Sequence, residues 1–176
     1  SLKVMAEEAT EHWAETVLRL TRETKGKALF NLHMFQKNMK ELKDLFTKSH
    51  HIYPSLGDAG AHVSQIMDAG WSTFILSYWH RETGTFSIGE AIQKMTSGPA
   101  KVLGLSDRGV LAVGMKADVN VFDVKEVTEL QPRLVHDFPN GAPRFIQKSR
   151  GFKATIVNGS ISVLNGDLTA VSYTHL

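Results

Sequence analysis

From Met5 to about Thr24, apolar side chains recur at threes and fours: Met5, Ala6, Ala9, Trp13, Val17 and Leu20. That spacing places them on one face of a helix, and Gly26 stands where a helix-ending glycine belongs. Lys27 to Leu32 reads as a short strand. Met39, Leu42, Leu45 and Phe46 mark a second amphipathic helix, and Ile52 to Leu56 a second short strand. Helix and strand therefore alternate over the first sixty residues, joined by connections of a few residues. This is the rhythm of parallel βα units whose helices cover a sheet or barrel.

Beyond a glycine-rich stretch at 57–62, Ser72 to about Glu82 predicts a helix carrying Phe74, Ile75, Tyr78 and Trp79. Ser87 and Glu90 form a capping box ahead of Ala91, Ile92 and Met95. Ser97-Gly98-Pro99 breaks that helix and starts another, with Pro99 suited to a first helical position and Gly104 closing it. From Arg108 onward, glycines punctuate short β-rich runs. Ala117 to Asp123 alternates as a strand does, and Thr155–Val157 and Ser160–Val163 flank Asn158-Gly159, a strong hairpin signal. Leu130 to Arg150, with Pro132, Pro139, Pro143 and Gly141, reads as an extended loop. The change of character falls at Leu105 to Gly109 and predicts two domains, 1–105 and 106–176.

At 176 residues, 42% hydrophobic and 22% charged, the chain has the composition of a soluble globular protein. Its formal charge is +2, with basic and acidic residues interleaved, so neither a nucleic-acid surface nor an anionic-membrane surface is predicted. No apolar run approaches the roughly 20 residues of a bilayer crossing. There is no cysteine, which removes disulfides and thiolate ligands and fits a cytoplasmic location. Ser1-Leu2-Lys3-Val4-Met5 is neither an initiator methionine nor a signal peptide, so the chain is expected to be a piece of a longer one.

The candidate chemistry centres on Gly57-Asp58-Ala59-Gly60-Ala61-His62, where one carboxylate stands among residues too small to shield it. An acid at the point where a strand runs out into glycine is where parallel α/β enzymes keep catalytic groups. Asp58 suits a metal ligand, a proton carrier or both, and equally the capping of its own tight turn. His62, in the same loop, is a candidate substrate contact or a solvent-facing histidine. Ser64, Gln65 and Asp68 either structure that loop or touch substrate, and Asn31 and His33 would face the same rim. His80 and Arg81 end a helix, where cations suit the macrodipole. Asp118 and Asp123 read as turn or sheet-edge acids, and Trp13, Trp71 and Trp79 as packing residues.

Several blocks occur in a fixed order: Gly57-Asp58-Ala59-Gly60-Ala61-His62, then Ser97-Gly98-Pro99-Ala100-Lys101-Val102-Leu103-Gly104-Leu105, then Arg108 to Asp123 with its Gly114-Met115-Lys116-Ala117-Asp118, and last Val157-Asn158-Gly159. Together they resemble the C-terminal portion of an amidohydrolase-superfamily enzyme, most closely the N-acyl-D-amino-acid deacylase (D-aminoacylase) branch. The resemblance runs from near Val4 to about Thr169. It implies an α/β fold: the last helix–strand units of a (β/α)8 TIM-type barrel over 1–105, followed by half of a small β-sandwich. It also implies that Asp58, as the acid ending the eighth strand, binds the catalytic Zn2+ and moves the proton. The substrate would be a small N-acyl amino acid cleaved at its linear amide.

The family's His-x-His pair of the first strand is absent, as are the ligands of the fourth, fifth and sixth strands. The eight histidines (12, 33, 50, 51, 62, 80, 136 and 175) include no His-x-His. A tetrahedral zinc site cannot be assembled from Asp58 alone, so this chain by itself is expected to be inactive. The last residues, Val171 to Leu176, depart from the family's ending and read as non-native. A cyclic-amide hydrolase of the hydantoinase or dihydroorotase kind, and a non-catalytic binding module, are the competing assignments. Nothing in the sequence points to an oligomeric state.

Overall fold

A computed structural model describes residues 1–30, 38–49, 51–54, 57, 59 and 63–173. They fall into two compact units, Ser1–Leu42 and Lys43–Leu176.

In the first unit the single helix expected over 5–24 is two helices, α1 (Leu2–Ala9) and α2 (Trp13–Glu23). Thr10 takes a left-handed conformation (φ 54°) that ends α1, a position usually left to glycine or asparagine. His12 then starts α2: its Nδ1 accepts from the Ala14 N–H, and the Glu15 carboxylate accepts from the His12 N–H at 2.9 Å. The apolar series runs straight through this break, so periodicity does not reveal it. Ala6 and Thr16 are the buried residues of the pair. Arg19 donates through Nε and Nη2 to one oxygen of Glu11 and holds that carboxyl below its usual range. Trp13, expected to pack, is 60% exposed.

Helix α3 (Met39–Lys48) forms where the apolar spacing puts it and crosses from the first unit into the second. Its residue Phe46 joins the aromatic core of the second unit. Helix α4 (Trp71–Phe74) passes into a π-helical segment, Ile75–Glu82, so the predicted helix over 72–82 is present with a wider hydrogen-bond pitch. Trp79, 3% exposed, meets Phe46 edge-on at 5.5 Å and Tyr78 at 5.2 Å, and Tyr78 stacks on Phe74 at 4.8 Å. Helix α5 (Ile88–Met95) carries the expected box: Glu90 accepts from the Ser87 N–H at 2.8 Å, and Ser87 Oγ accepts from the Glu90 N–H. Helix α6 (Ser97–Val102) follows at once, with Pro99 at its third residue rather than its first.

The β-rich part is antiparallel throughout. Strands β1 (Val119–Phe122), β6 (Phe152–Val157), β7 (Ser160–Leu164) and β8 (Asp167–Leu168) form one sheet in that order. Asn158 and Gly159, at φ 48° and 84°, make the tight turn between β6 and β7. The stretch 130–150 is not the loop its prolines suggest. β3 (Arg133–Val135) pairs with β4 (Arg144–Ile146) around a 3-10 turn at Pro139–Gly141, and β5 (Ser149–Arg150) pairs with β2 (Thr128–Glu129). Strands of two or three residues are too short to show alternation. Arg144 donates to both Asp137 oxygens, at 2.6 and 2.7 Å, and holds that carboxyl below its usual range.

Among the described residues no parallel strand pair forms, and 27–30 and 52–54, the described parts of the two early strand candidates, are not strands. A parallel strand exists only beside a neighbour, because its hydrogen bonds all lie between strands. Strand β2 packs on α4 and on the π-helical segment, joining residues on either side of 105–109. Ser77 Oγ donates to the Glu129 carboxylate at 2.7 Å, and the Arg81 guanidinium donates to the Val124 and Val127 carbonyls. Gly151 fits this seam for a steric reason. Its φ is +87°, and a Cβ there would lie 2.5 Å from the Val127 Cα and N. Gly151→Ala is therefore expected to destabilise the protein by more than about 1 kcal/mol, read as a lower urea midpoint at unchanged m-value.

Candidate functional site

Lys94 supports the segment that leads into the glycine-rich loop, its Nζ donating to the Ile52 carbonyl at 3.2 Å and lying 5.7 Å above the Tyr53 ring. Gly57 follows, half-buried. The carboxylate of Asp68 stands directly over it: a Cβ at Gly57 would lie 2.5 Å from Asp68 Cγ and Oδ1. The loop closes on itself there, with its far end against the residue preceding Asp58. Between these points the Val63 carbonyl accepts from the Phe145 N–H at 2.6 Å, which fastens the loop to strand β4. Past Asp68, the Trp71 N–H donates to the Asp68 carbonyl and begins α4. The Gln147 side-chain amide lies against Gly70 while donating to the Leu130 carbonyl at 3.0 Å.

Asp58 and His62, the two residues the sequence singles out, lie outside the described residues, as do Asn31, His33 and Gly60. Ser64 and Gln65 are exposed in a turn. His80 Nδ1 is bonded to the Phe86 carbonyl at 2.9 Å, and Arg81 serves the carbonyls near β2, so both hold the fold together. Asp118 accepts from the Asn158 N–H at 2.7 Å and faces Arg108, while Asp123 accepts from the Lys125 N–H, as turn and sheet-edge acids do. Arg108 and Lys116 together hold Asp107 below the usual carboxylate range. The links made by Phe145 and Gln147 went unforeseen. One runs through a backbone N–H, which any residue but proline supplies, and leaves no trace in residue type.

A cavity of about 1310 Å³ opens beside this loop, between helices α4 to α6 and the main sheet. Ala69 and Gly70 stand at its edge, and Trp71, Leu76, Phe122 and Phe152 give it apolar walls. No group of three or more His, Asp or Glu side chains able to hold a metal ion occurs among the described residues. Those residues alone therefore do not fit a zinc centre, which needs at least three protein ligands converging on one point.

Similarity to known proteins covers this region. Residues 53–163 match the model of the amidohydrolase family. Over 91 residues the chain is 41% identical to an N-acyl-D-glutamate deacylase of Alcaligenes xylosoxydans xylosoxydans, covering 51% of this chain and 17% of that protein. It is 35% identical over 81 residues to a dihydroorotase of Endomicrobium trichonymphae, covering 46% of this chain and 19% of that one. A crystal structure of D-aminoacylase, described as defining a novel subset of amidohydrolases, aligns at TM-score 0.44 and 27% identity over 56% of this chain and 19% of its own. The chain thus spans under a fifth of the length of these relatives. With the family match extending from Tyr53 through the glycine-rich loop to strand β7, the chain belongs to the amidohydrolase family.

Proposed function

We propose that this chain is the C-terminal portion of a metal-dependent amidohydrolase that deacylates N-acyl-D-amino acids. The observation that carries the proposal is the ordered set of blocks from Gly57-Asp58 to Val157-Asn158-Gly159, with 41% identity to an N-acyl-D-glutamate deacylase across 91 residues. In this assignment residues 1–105 belong to the last helix–strand units of a (β/α)8 barrel, and 106–176 to half of a β-sandwich. The remaining metal ligands come from chain upstream of Ser1. A related D-aminoacylase is described as having a binuclear metal centre, and Zn2+ is the cation proposed here.

A divalent cation, when bound, supplies a water acidic enough to be deprotonated near neutral pH. Asp58 would help to hold that cation and would act as the base toward the water that attacks the amide carbonyl. The same carboxyl would return a proton to the departing nitrogen, which must leave as a neutral amine. His62, four residues on, is proposed to contact the substrate. Similarity to dihydroorotases favours a second assignment, hydrolysis of a cyclic amide by the same proton transfers.

Assaying the intact parent enzyme on N-acetyl-D-glutamate, N-acetyl-D-aspartate, their L enantiomers and dihydroorotate separates these assignments. Hydrolysis of the D-amides, abolished by a chelator and restored by Zn2+, is the expected result. Turnover of dihydroorotate alone selects the cyclic-amide assignment, and chelator-resistant activity on any of them overturns the metal-dependent one.

A further inference from the structure

We propose that Asn165 is a modification site, where the backbone nitrogen of Gly166 attacks the side-chain amide and converts it to a carboxylate. The chain holds three Asn-Gly pairs, at 140–141, 158–159 and 165–166. All are exposed, and in each pair both residues stand in the left-handed region, Asn165 at φ 50° and Gly166 at φ 91°. An Asn-Gly pair offers this reaction little hindrance, since glycine has no Cβ to obstruct the approach of its nitrogen. The glycine N–H gives up its proton, its nitrogen bonds to the asparagine Cγ, and the side-chain nitrogen leaves as ammonia. Water then opens the cyclic imide at either carbonyl, giving aspartate or its backbone-extended isomer isoaspartate. Water is the sole co-reactant.

What separates the three pairs is how firmly each turn is held. A tight turn keeps the side-chain carbon and the next nitrogen apart, so the reaction waits on local opening. At 158–159 the Asn158 N–H donates to the Asp118 carboxylate at 2.7 Å, and the Gly159 N–H donates to the Ala117 carbonyl at 3.0 Å. That turn joins β6 to β7, the two inner strands of the main sheet. At 140–141 the Gly141 N–H donates to the Phe138 carbonyl at 2.9 Å, and the Gly141 carbonyl is bonded to His136 Nδ1 at 3.0 Å. In both turns the attacking nitrogen is occupied. At 165–166 the Asn165 N–H donates to the Lys153 carbonyl at 2.8 Å, whereas the Gly166 N–H has no acceptor among the described residues. This turn leads into β8, an exposed strand of two residues at the sheet edge. Opening it unpairs Leu164 from Asp167 and Val163 from Leu168 and breaks no bond to the nucleophile. Just beyond, the Thr169 N–H donates to the Ser162 carbonyl, which keeps the opening local.

The test is a timed incubation of the intact protein in mildly alkaline buffer, followed by tryptic mapping and tandem mass spectrometry. Asn158 and Asn165 share the tryptic peptide that begins at Ala154, so fragment ions across Ser160 to Leu164 assign the conversion to one or the other. Asn140 lies in the separate peptide Leu134 to Arg144. In the native protein, conversion at Asn165 is expected to run about tenfold or more faster than at Asn158 or Asn140, the effect of one or two hydrogen bonds on an opening equilibrium. In concentrated urea the three rates should converge, because the folded turns no longer distinguish them. Asp118→Ala removes the acceptor of the Asn158 N–H and should speed conversion at Asn158 while leaving Asn165 unchanged. Equal native rates at the three positions overturn the proposal, and so does a faster site at 158 or 140. It falls as well if the native spread persists in urea, or if Asn158 in Asp118→Ala stays as slow as before.

Discussion

Asp58→Asn in the intact parent enzyme should reduce kcat by about three orders of magnitude or more, given the 10²–10⁴-fold contribution of general acid–base transfer and the further loss of an anionic metal ligand. Asparagine is the informative replacement. It keeps the size of the side chain and one acceptor oxygen, and it caps a tight turn as well as aspartate does. A turn-locking Asp58 would therefore tolerate the change, whereas a proton carrier would not, since an amide neither takes up nor releases a proton near neutral pH. Alanine would not separate the two roles, because it removes both. Steady-state kinetics on an N-acyl-D-amino acid, with the metal content of each preparation measured, reads the outcome. A variant within tenfold of the unmodified enzyme returns Asp58 to its turn and leaves the non-catalytic binding module as the better account.

How far the sequence announces this architecture depends on where the information sits. Ser87 and Glu90 announce α5 because a capping box is a matter of two side chains three residues apart. Asn158-Gly159 announces the β6–β7 hairpin because few residues accept positive φ at both central positions. The break at Thr10 is silent, since threonine has no preference for the left-handed region and the apolar series continues across it. The β3–β4 hairpin is silent too: three-residue strands give no alternation, and Pro132, Pro139 and Pro143 mask them. The π-helical pitch of 75–82 changes the hydrogen-bond partner and leaves the apolar face in place.

The same division runs through the candidate site. Asp58 stands out because a lone acid among glycine and alanine is unusual in itself and because it opens the ordered series of family blocks. Asp68 looks like any loop acid. Its carboxylate lies over Gly57, eleven positions earlier, a proximity that residue type alone does not reveal. Trp13 shows a further limit. Helical spacing says which face is apolar but not what covers it, and Trp13 remains 60% exposed. Gly57 carries both kinds of information, being legible as a small residue beside an acid and explained only by the carboxylate above it.

Trp79→Ala should give the largest loss of stability of any single substitution in the second unit, about 3–5 kcal/mol by analogy with other buried aromatic truncations. Trp79 is 3% exposed and has ring contacts with Phe46, Phe74, Tyr78 and Phe86, which come from α3, α4, the π-helical segment and the turn before α5. Removing the indole leaves a cavity at the point where these elements meet, and a π-helical backbone already committed to its hydrogen bonds has little freedom to collapse into it. Trp79→Phe fills most of the volume and should cost less than half as much. Urea unfolding of the intact protein, followed by circular dichroism, measures both variants. Equal midpoints for the two would mean that a six-membered ring at position 79 restores none of the lost contacts. A midpoint for Trp79→Ala within error of the unmodified protein would mean that this aromatic cluster is not the core that holds α4, and with it Asp68, in place.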